Sequence, residues 1–155
     1  MSESAILDAL QGLGLSLPEA PAPVAAYVPV VISRGLAFVA GQVPMVGGSV
    51  LHPGRLGDGV SVEEGAEAAR QAALQSLAAL KAELGSLDRL RRIVQVSVFV
   101  ASAPGFADQS KVANGASELF VAAMGDEGKH ARAAVGMASL PLGSSVEVAV
   151  IAEVD

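Results

Sequence analysis

Two charges stand among apolar neighbours near the end of the chain. Arg132 lies within Ala131-Arg132-Ala133-Ala134-Val135, and Glu147 lies within Val146-Glu147-Val148-Ala149-Val150. Each stretch reads as an apolar strand, and a loop carrying Pro141 and Gly143 joins the two. The face of Glu147 continues through Ala149 and Ile151, so neither side of the last strand looks made for water. Both charges are therefore expected to be buried, and a buried ion must be paired or used. A guanidinium presents a planar fork that grips a carboxylate through two parallel bonds. A glutamate within hydrogen-bond reach of a water can take its proton as general base. The alternative is that Arg132 and Glu147 pair with each other and fix subunit register.

Other polar residues carry weaker signals. Tyr27 is the only tyrosine and follows a proline-rich stretch, where a packing role is the commoner one. Asn114 stands near a helix start, where capping is the plain alternative. Gln42, after Gly41, reads equally as a turn residue. Ser117 and Ser139 have no histidine–acid partner that the sequence can place, which argues against a serine nucleophile. The absence of cysteine excludes a thiolate nucleophile, a disulfide framework and a cysteine metal site, and two histidines, His52 and His130, are too few for a histidine zinc site.

A net charge of −6 argues against nucleic acid as a partner. The basic cluster Arg89, Arg91 and Arg92 is short, has Asp88 beside it, and has no interleaved aromatics to stack bases. The N-terminus is acidic where a leader would be basic, and no apolar run approaches a membrane span, so a soluble cytoplasmic protein without a membrane partner is expected. No phosphate loop, dinucleotide fingerprint, nucleophile elbow or metalloprotease helix occurs.

The elements that must position these residues follow from caps and periodicity. Ser4 is expected to cap a helix over residues 5–12, followed by a linker held extended by Pro18, Pro21 and Pro23. Strands are expected over 28–32 and 36–40 about a tight turn at Ser33-Arg34-Gly35, and a short one over 49–51. Ser61-Val62-Glu63-Glu64 is a capping box opening a helix that runs to Leu84 and stops at Gly85. Ala66, Ala69, Ala73, Leu77, Leu80 and Leu84 form its apolar stripe, with Glu67, Gln71 and Gln75 on the wet face. A strand over 93–101, a helix over 108–124 and the two final strands complete the order β-β-β-α-β-α-β-β behind a helical preface. The expected fold is an α+β sandwich: one mostly antiparallel sheet with two helices on one face, plus the N-terminal helix. Residues 1–23 would form the helix and linker, and 24–155 the domain. Last strands that are apolar on both faces predict a homo-oligomer.

Several of these motifs together resemble the RidA/YjgF family of reactive intermediate deaminases, also labelled L-PSP endoribonucleases. They are Ala40-Gly41-Gln42-Val43-Pro44, Val98-Phe99-Val100, Val112-Ala113-Asn114-Gly115-Ala116-Ser117-Glu118, Ala131-Arg132, Leu140-Pro141 and Val146-Glu147-Val148, and the likeness covers about Tyr27 to Val154. The N-terminal helix with Leu17-Pro18-Glu19-Ala20-Pro21 is similar to a longer, chorismate-mutase-like bacterial branch. The resemblance implies a homotrimer that hydrolyses 2-imino acids to 2-keto acids and ammonia in clefts between subunits, without metal or organic cofactor. It implies that Arg132 holds the substrate carboxylate, that Glu147 positions the attacking water, and that Tyr27, Asn114, Ala40, Gly41 and Ala134 line the pocket. Two departures stand out. Ala40 replaces the family's usual serine and Ala134 its usual cysteine, so the pocket loses a hydroxyl and a thiol. His130 stands where a proline is usual. A non-catalytic small-carboxylate-binding protein of the same family is the alternative. The endoribonuclease of the label fits the acidic charge and the missing histidine pair poorly.

Overall fold

A computed structural model describes residues 1–22 and 26–155. The expected boundary between linker and domain, at 23 and 24, lies outside the described residues, as does Pro23. In chain order the elements are α1 (Glu3–Gly12), β1 (Val30–Ser33), β2 (Leu36–Gln42), β3 (Met45–Val46), β4 (Ser49–Val50), β5 (Arg55–Leu56), β6 (Gly59–Val60), α2 (Val62–Leu84), β7 (Leu90–Ala101), α3 (Gln109–Met124), β8 (Ala131–Met137) and β9 (Val146–Val154).

The helix signals act as expected at α2. The Ser61 hydroxyl accepts from the Glu64 N–H and the Glu64 carboxylate accepts from the Ser61 N–H, while Gly85 ends the helix in the left-handed region at φ 78°. α1 begins earlier than predicted. Ser2, not Ser4, is its cap and accepts from the Ala5 N–H. That start puts Glu3 in the first turn, where its carboxylate takes the Lys81 ammonium at 2.8 Å and the Leu87 N–H at 2.7 Å. These bonds seat α1 so that Ile6 and Leu10 enter the same core as the other helices.

Five strands form the main sheet in the order β1-β2-β9-β7-β8. β1 and β2 form a hairpin about Arg34 and Gly35, both with positive φ, as a two-residue turn between twisted strands requires. β9 does not pair with β8, although the two are consecutive. It inserts antiparallel between β2 and β7, while β8 runs parallel to β7 at the sheet edge. The connection through α3 explains this. A strand followed by a helix and a second strand in one sheet closes as a crossover, which lays β8 beside β7 with the helix on one face. Residues 138–145 then carry the chain back to the centre of the sheet.

α2 and α3 cover one face of the sheet. Val146, Val148, Val150, Ala152 and Val154 of β9 are buried beneath the helices, with Val96, Val98 and Val100 of β7. Phe38, Val135 and Met137 stand exposed on the other face. The two helices meet closely at Gly115, where an added Cβ would collide with the Ala66 backbone. Gln75, expected on the wet face, is only 6% exposed. Its amide donates to the Val43 carbonyl at 2.9 Å and accepts from the Met45 N–H at 2.7 Å, so it satisfies backbone groups in the stretch that leads from β2 into β3.

Candidate functional site

The sheet register separates the two leading residues. Arg132 lies opposite Val96, which faces the helices, whereas Glu147 lies opposite Phe99 on the uncovered face. Neighbouring residues on adjacent strands point to the same side of a sheet, so Arg132 and Glu147 project from opposite faces of one chain. The expectation that both are buried holds only in part. Arg132 is exposed, because β8 is an edge strand with no neighbour beyond it, and Glu147 is half-buried. Nor do the two pair within a chain.

Arg132 reaches from β8 to α3. Its Nη1 donates to Asn114 Oδ1 at 2.8 Å and to Ser117 Oγ at 3.2 Å, both residues being one helical turn apart on the same face. Ser117 Oγ also lies 2.9 Å from His130 Nε2, and His130 Nδ1 lies 2.6 Å from the Gly128 carbonyl. The proton positions follow from what each group can do. A guanidinium only donates, so Ser117 accepts from Arg132, and a carbonyl only accepts, so His130 Nδ1 carries a proton donated to Gly128. In the neutral ring Nε2 is then an acceptor and takes the Ser117 proton. Burial lowers the pKa of this imidazole and the Arg132 charge adds to that, against the Gly128 carbonyl, which favours the charged ring. The ring edge packs against Phe120 at 5.9 Å between centroids.

A cleft of about 240 Å³ opens here, lined by Ser117, Val121, Lys129, His130 and Arg132. A larger one, about 430 Å³, lies between α2 and α3 and contains none of the expected site residues. It presents Glu63, Glu67 and Glu118 against the single cation Arg70, so it is the poorer host for a carboxylate. Ala134, two residues beyond Arg132 on the same side of β8, packs toward the core beside it.

The second group of expected residues gathers about Glu147. Between β2 and β9 the register shifts from Val39 to Gln42, leaving Ala40 and Gly41 in a bulge. Glu147 lies against Gly41 so closely that a Cβ there would overlap its carboxylate. Burial against this apolar face raises the pKa of the Glu147 carboxyl above its ordinary value. The Ala40 N–H donates to the Pro29 carbonyl and the Ala40 carbonyl accepts from Gln42, so backbone and side chain together fix the bulge. Gln42 is thus more than a turn residue: its side chain is buried and touches Gln75. Tyr27 stands 52% exposed just ahead of β1, the strand at the opposite edge of the sheet from β8.

The residues expected to form one site therefore fall into two groups. Arg132, Asn114 and Ala134 form one at the β8 edge, and Glu147, Gly41 and Ala40 form the other on the open face, with Tyr27 beside neither Arg132 nor its cleft. Ser117 and His130 were missed as partners. Two spacings could have found them: Ser117 follows Asn114 by three residues on a helix, and His130 precedes Arg132 by two at a strand entrance.

Residues 7–154 match a family model described as "YjgF/chorismate_mutase-like, putative endoribonuclease". The chain is a member of the RidA/YjgF family. Protein TCP17 of Trypanosoma cruzi is 48% identical to it over 149 residues, 94% of this chain and 92% of that protein. The crystal structure of an Agrobacterium tumefaciens protein of unknown function superposes with a TM-score of 0.93 at 45% identity, covering 99% of this chain and 94% of the other. The crystal structure of a Shewanella oneidensis protein described as "a putative endoribonuclease" matches at a TM-score of 0.92 and 30% identity, over 99% and 100% of the two chains. The expected RidA-type α+β fold is the one observed. Among the described residues no helix is long and apolar enough to cross a membrane.

Proposed function

We propose that this RidA/YjgF protein hydrolyses 2-imino acids and their enamine tautomers to 2-keto acids and ammonia, as a soluble cytoplasmic homotrimer whose clefts lie between subunits. One observation carries the reading: Arg132 spends a single nitrogen on Asn114 and Ser117, has no carboxylate partner among the described residues, and opens onto a cleft. Its remaining donors suit a substrate carboxylate. The opposite facing of Arg132 and Glu147 supports a composite site, in which the β8 edge of one copy meets the open face of the next. A head-to-tail contact of that kind closes into a ring when its rotation completes a full turn in three copies, which the homotrimer requires.

The chemistry asks little of the protein. Water attacks the carbon of the protonated C=N group while Glu147 takes its proton, giving a tetrahedral carbinolamine. Glu147 returns that proton to nitrogen, and the C–N bond breaks to release ammonia as the hydroxyl proton passes to Glu147 and the keto group forms. A carboxyl whose pKa is raised by burial suits both halves of this exchange, since a base works best with its pKa near the operating pH. Asn114 orients the guanidinium. Ala40 and Ala134, which offer neither hydroxyl nor thiol, favour a second reading: a protein that binds small carboxylates without turning them over.

The test is release of 2-keto acid from 2-iminobutyrate generated in solution by an amino-acid oxidase, with semicarbazide competing for the imine. Wild type is expected to suppress semicarbazone formation and Arg132→Ala to lose that ability while sedimenting as the same oligomer. A folded Arg132→Ala variant with wild-type turnover would refute the assignment. No turnover by wild type, with 2-oxobutanoate still bound in calorimetry, would establish the binding protein instead.

A further inference from the structure

The deaminase reading leaves Ser117 and His130 without a part in the chemistry, although their geometry is that of a nucleophile and its base. We propose that Ser117 is a nucleophile toward small carboxylic esters, with His130 as its general base, giving this protein an acyl-transfer activity at the Arg132 cleft.

Four features place the components. The Ser117 hydroxyl points its proton at His130 Nε2 over 2.9 Å, within the range a nucleophile–base pair needs. The base is oriented from behind, because Nδ1–H is donated to the Gly128 carbonyl at 2.6 Å and fixes the tautomer that leaves Nε2 open. Gly128 is itself immobilised: it packs so closely on the α3 backbone at Phe120 that a Cβ there would collide with it. Finally, Arg132 Nη1 donates to Ser117 Oγ at 3.2 Å, placing a positive charge beside the nucleophile as it gives up its proton to His130. Asn114 accepts from the same nitrogen through Oδ1 at 2.8 Å and so holds the guanidinium in place beside Ser117. A depressed imidazole pKa keeps the base unprotonated at neutral pH, in support of this geometry.

The reaction balances without a co-reactant other than water. Ser117 Oγ bonds to the ester carbonyl carbon as its proton passes to His130 Nε2, and the tetrahedral oxyanion forms beside the Arg132 guanidinium, whose other nitrogens are not spent on Asn114 or Ser117. Collapse breaks the bond to the alkoxy oxygen, which leaves as alcohol with the proton from His130. Water then attacks the acyl-Ser117 ester, gives its proton to His130, and releases the carboxylic acid as the proton returns to Ser117. A carbonyl orients the imidazole but cannot neutralise the imidazolium as an aspartate would, so turnover is slow and acylated protein accumulates. Glu147, on the other face of the sheet, takes no part.

The full-length chain is treated with p-nitrophenyl acetate, p-nitrophenolate release is followed, and the acetylated residue is located by peptide mass spectrometry. Wild type is expected to carry one acetyl group on Ser117, and Ser117→Ala to carry none there and to lose the release it supports. His130→Asn keeps a donor for the Gly128 carbonyl and removes the acceptor facing Ser117, so acylation should slow by about 10²–10⁴-fold in a protein of unchanged circular dichroism. Acetyl groups confined to lysines or the N-terminus would overturn the proposal, as would a wild-type acylation rate in either variant. Imine turnover is read on the same samples. Ser117 acetylation without imine turnover sustains this inference and removes the deaminase reading, and the converse removes this inference alone.

Discussion

Gly41→Ala separates the chemistry of Glu147 from its packing. A Cβ at residue 41 would overlap Glu147 Oε1 and stand 3.0 Å from Cδ and 3.3 Å from Cγ, so its three nearest neighbours all belong to that side chain. The obstacle is the end of a flexible side chain, so the fold can yield by turning the carboxylate aside. Gly41 is not among the glycines of positive φ, and alanine there carries no backbone penalty. Two stability effects then oppose each other. Restricting the unfolded chain stabilises by about 0.4–1 kcal/mol, and forcing the glutamate off its rotamer costs about 0.5–1.5 kcal/mol. The net is within about 1 kcal/mol, or a Tm shift of roughly 2–4 °C at this size. Activity responds differently. The carboxylate oxygen must swing by about 1 Å to regain ordinary contact, and a displacement of that order costs about 10²-fold in a positioned reaction. Thermal unfolding and 2-iminobutyrate hydrolysis on one preparation test both halves. A Gly41→Ala protein with near-native Tm and wild-type turnover would show that Glu147 need not stand where it does. A loss of many degrees would show that the carboxylate cannot move.

Glu147→Gln is expected to retain 2-keto acid binding by calorimetry while hydrolysis slows by about 10²–10⁴-fold, the usual worth of a general base. The same variant has a pH signature. Burial raises the folded pKa of Glu147, so its charged form destabilises the fold, and the stability it provides when protonated is lost as pH rises through that raised value. Glu147→Gln should therefore melt higher than wild type at neutral pH and converge with it below the ordinary glutamate range. Gly115→Ala drives a Cβ into the Ala66 backbone, 2.6 Å from its carbonyl carbon, where neither helix can give, and should cost about 1–3 kcal/mol or more in denaturant unfolding. Gln75→Ala strands the Met45 N–H and the Val43 carbonyl, at about 1–3 kcal/mol for each group left unpaired, and the denaturation midpoint should fall accordingly.

Much of the architecture was legible because its signals are local. The Ser61–Glu64 capping box, Gly85 and the positive-φ pair at Arg34 and Gly35 act within a few residues of backbone, and periodicity marked the buried stripe of α2. Local rules also limited the reading. Gln75 lies on a helix position that looks polar, yet it is buried because the stretch from β2 to β3 needs both its donor and its acceptor. Ser117 and His130 are thirteen residues apart in sequence, and only the turn of α3 into β8 brings them within 2.9 Å.

By itself the sequence determined the three helices and the five strands of the main sheet, though not the two-residue strands β3, β5 and β6, together with the α+β class, the family likeness, and the choice of Arg132 and Glu147 as the charges that need a purpose. Only the tertiary structure decided that β9 enters the middle of the sheet while β8 stays at its edge. That order depends on a crossover through α3 and on pairing between strands far apart in the chain, which no local pattern encodes. It is also what sends Arg132 and Glu147 to opposite faces, exposing the first and half-burying the second, and what sets a serine, a histidine and an arginine around one cleft.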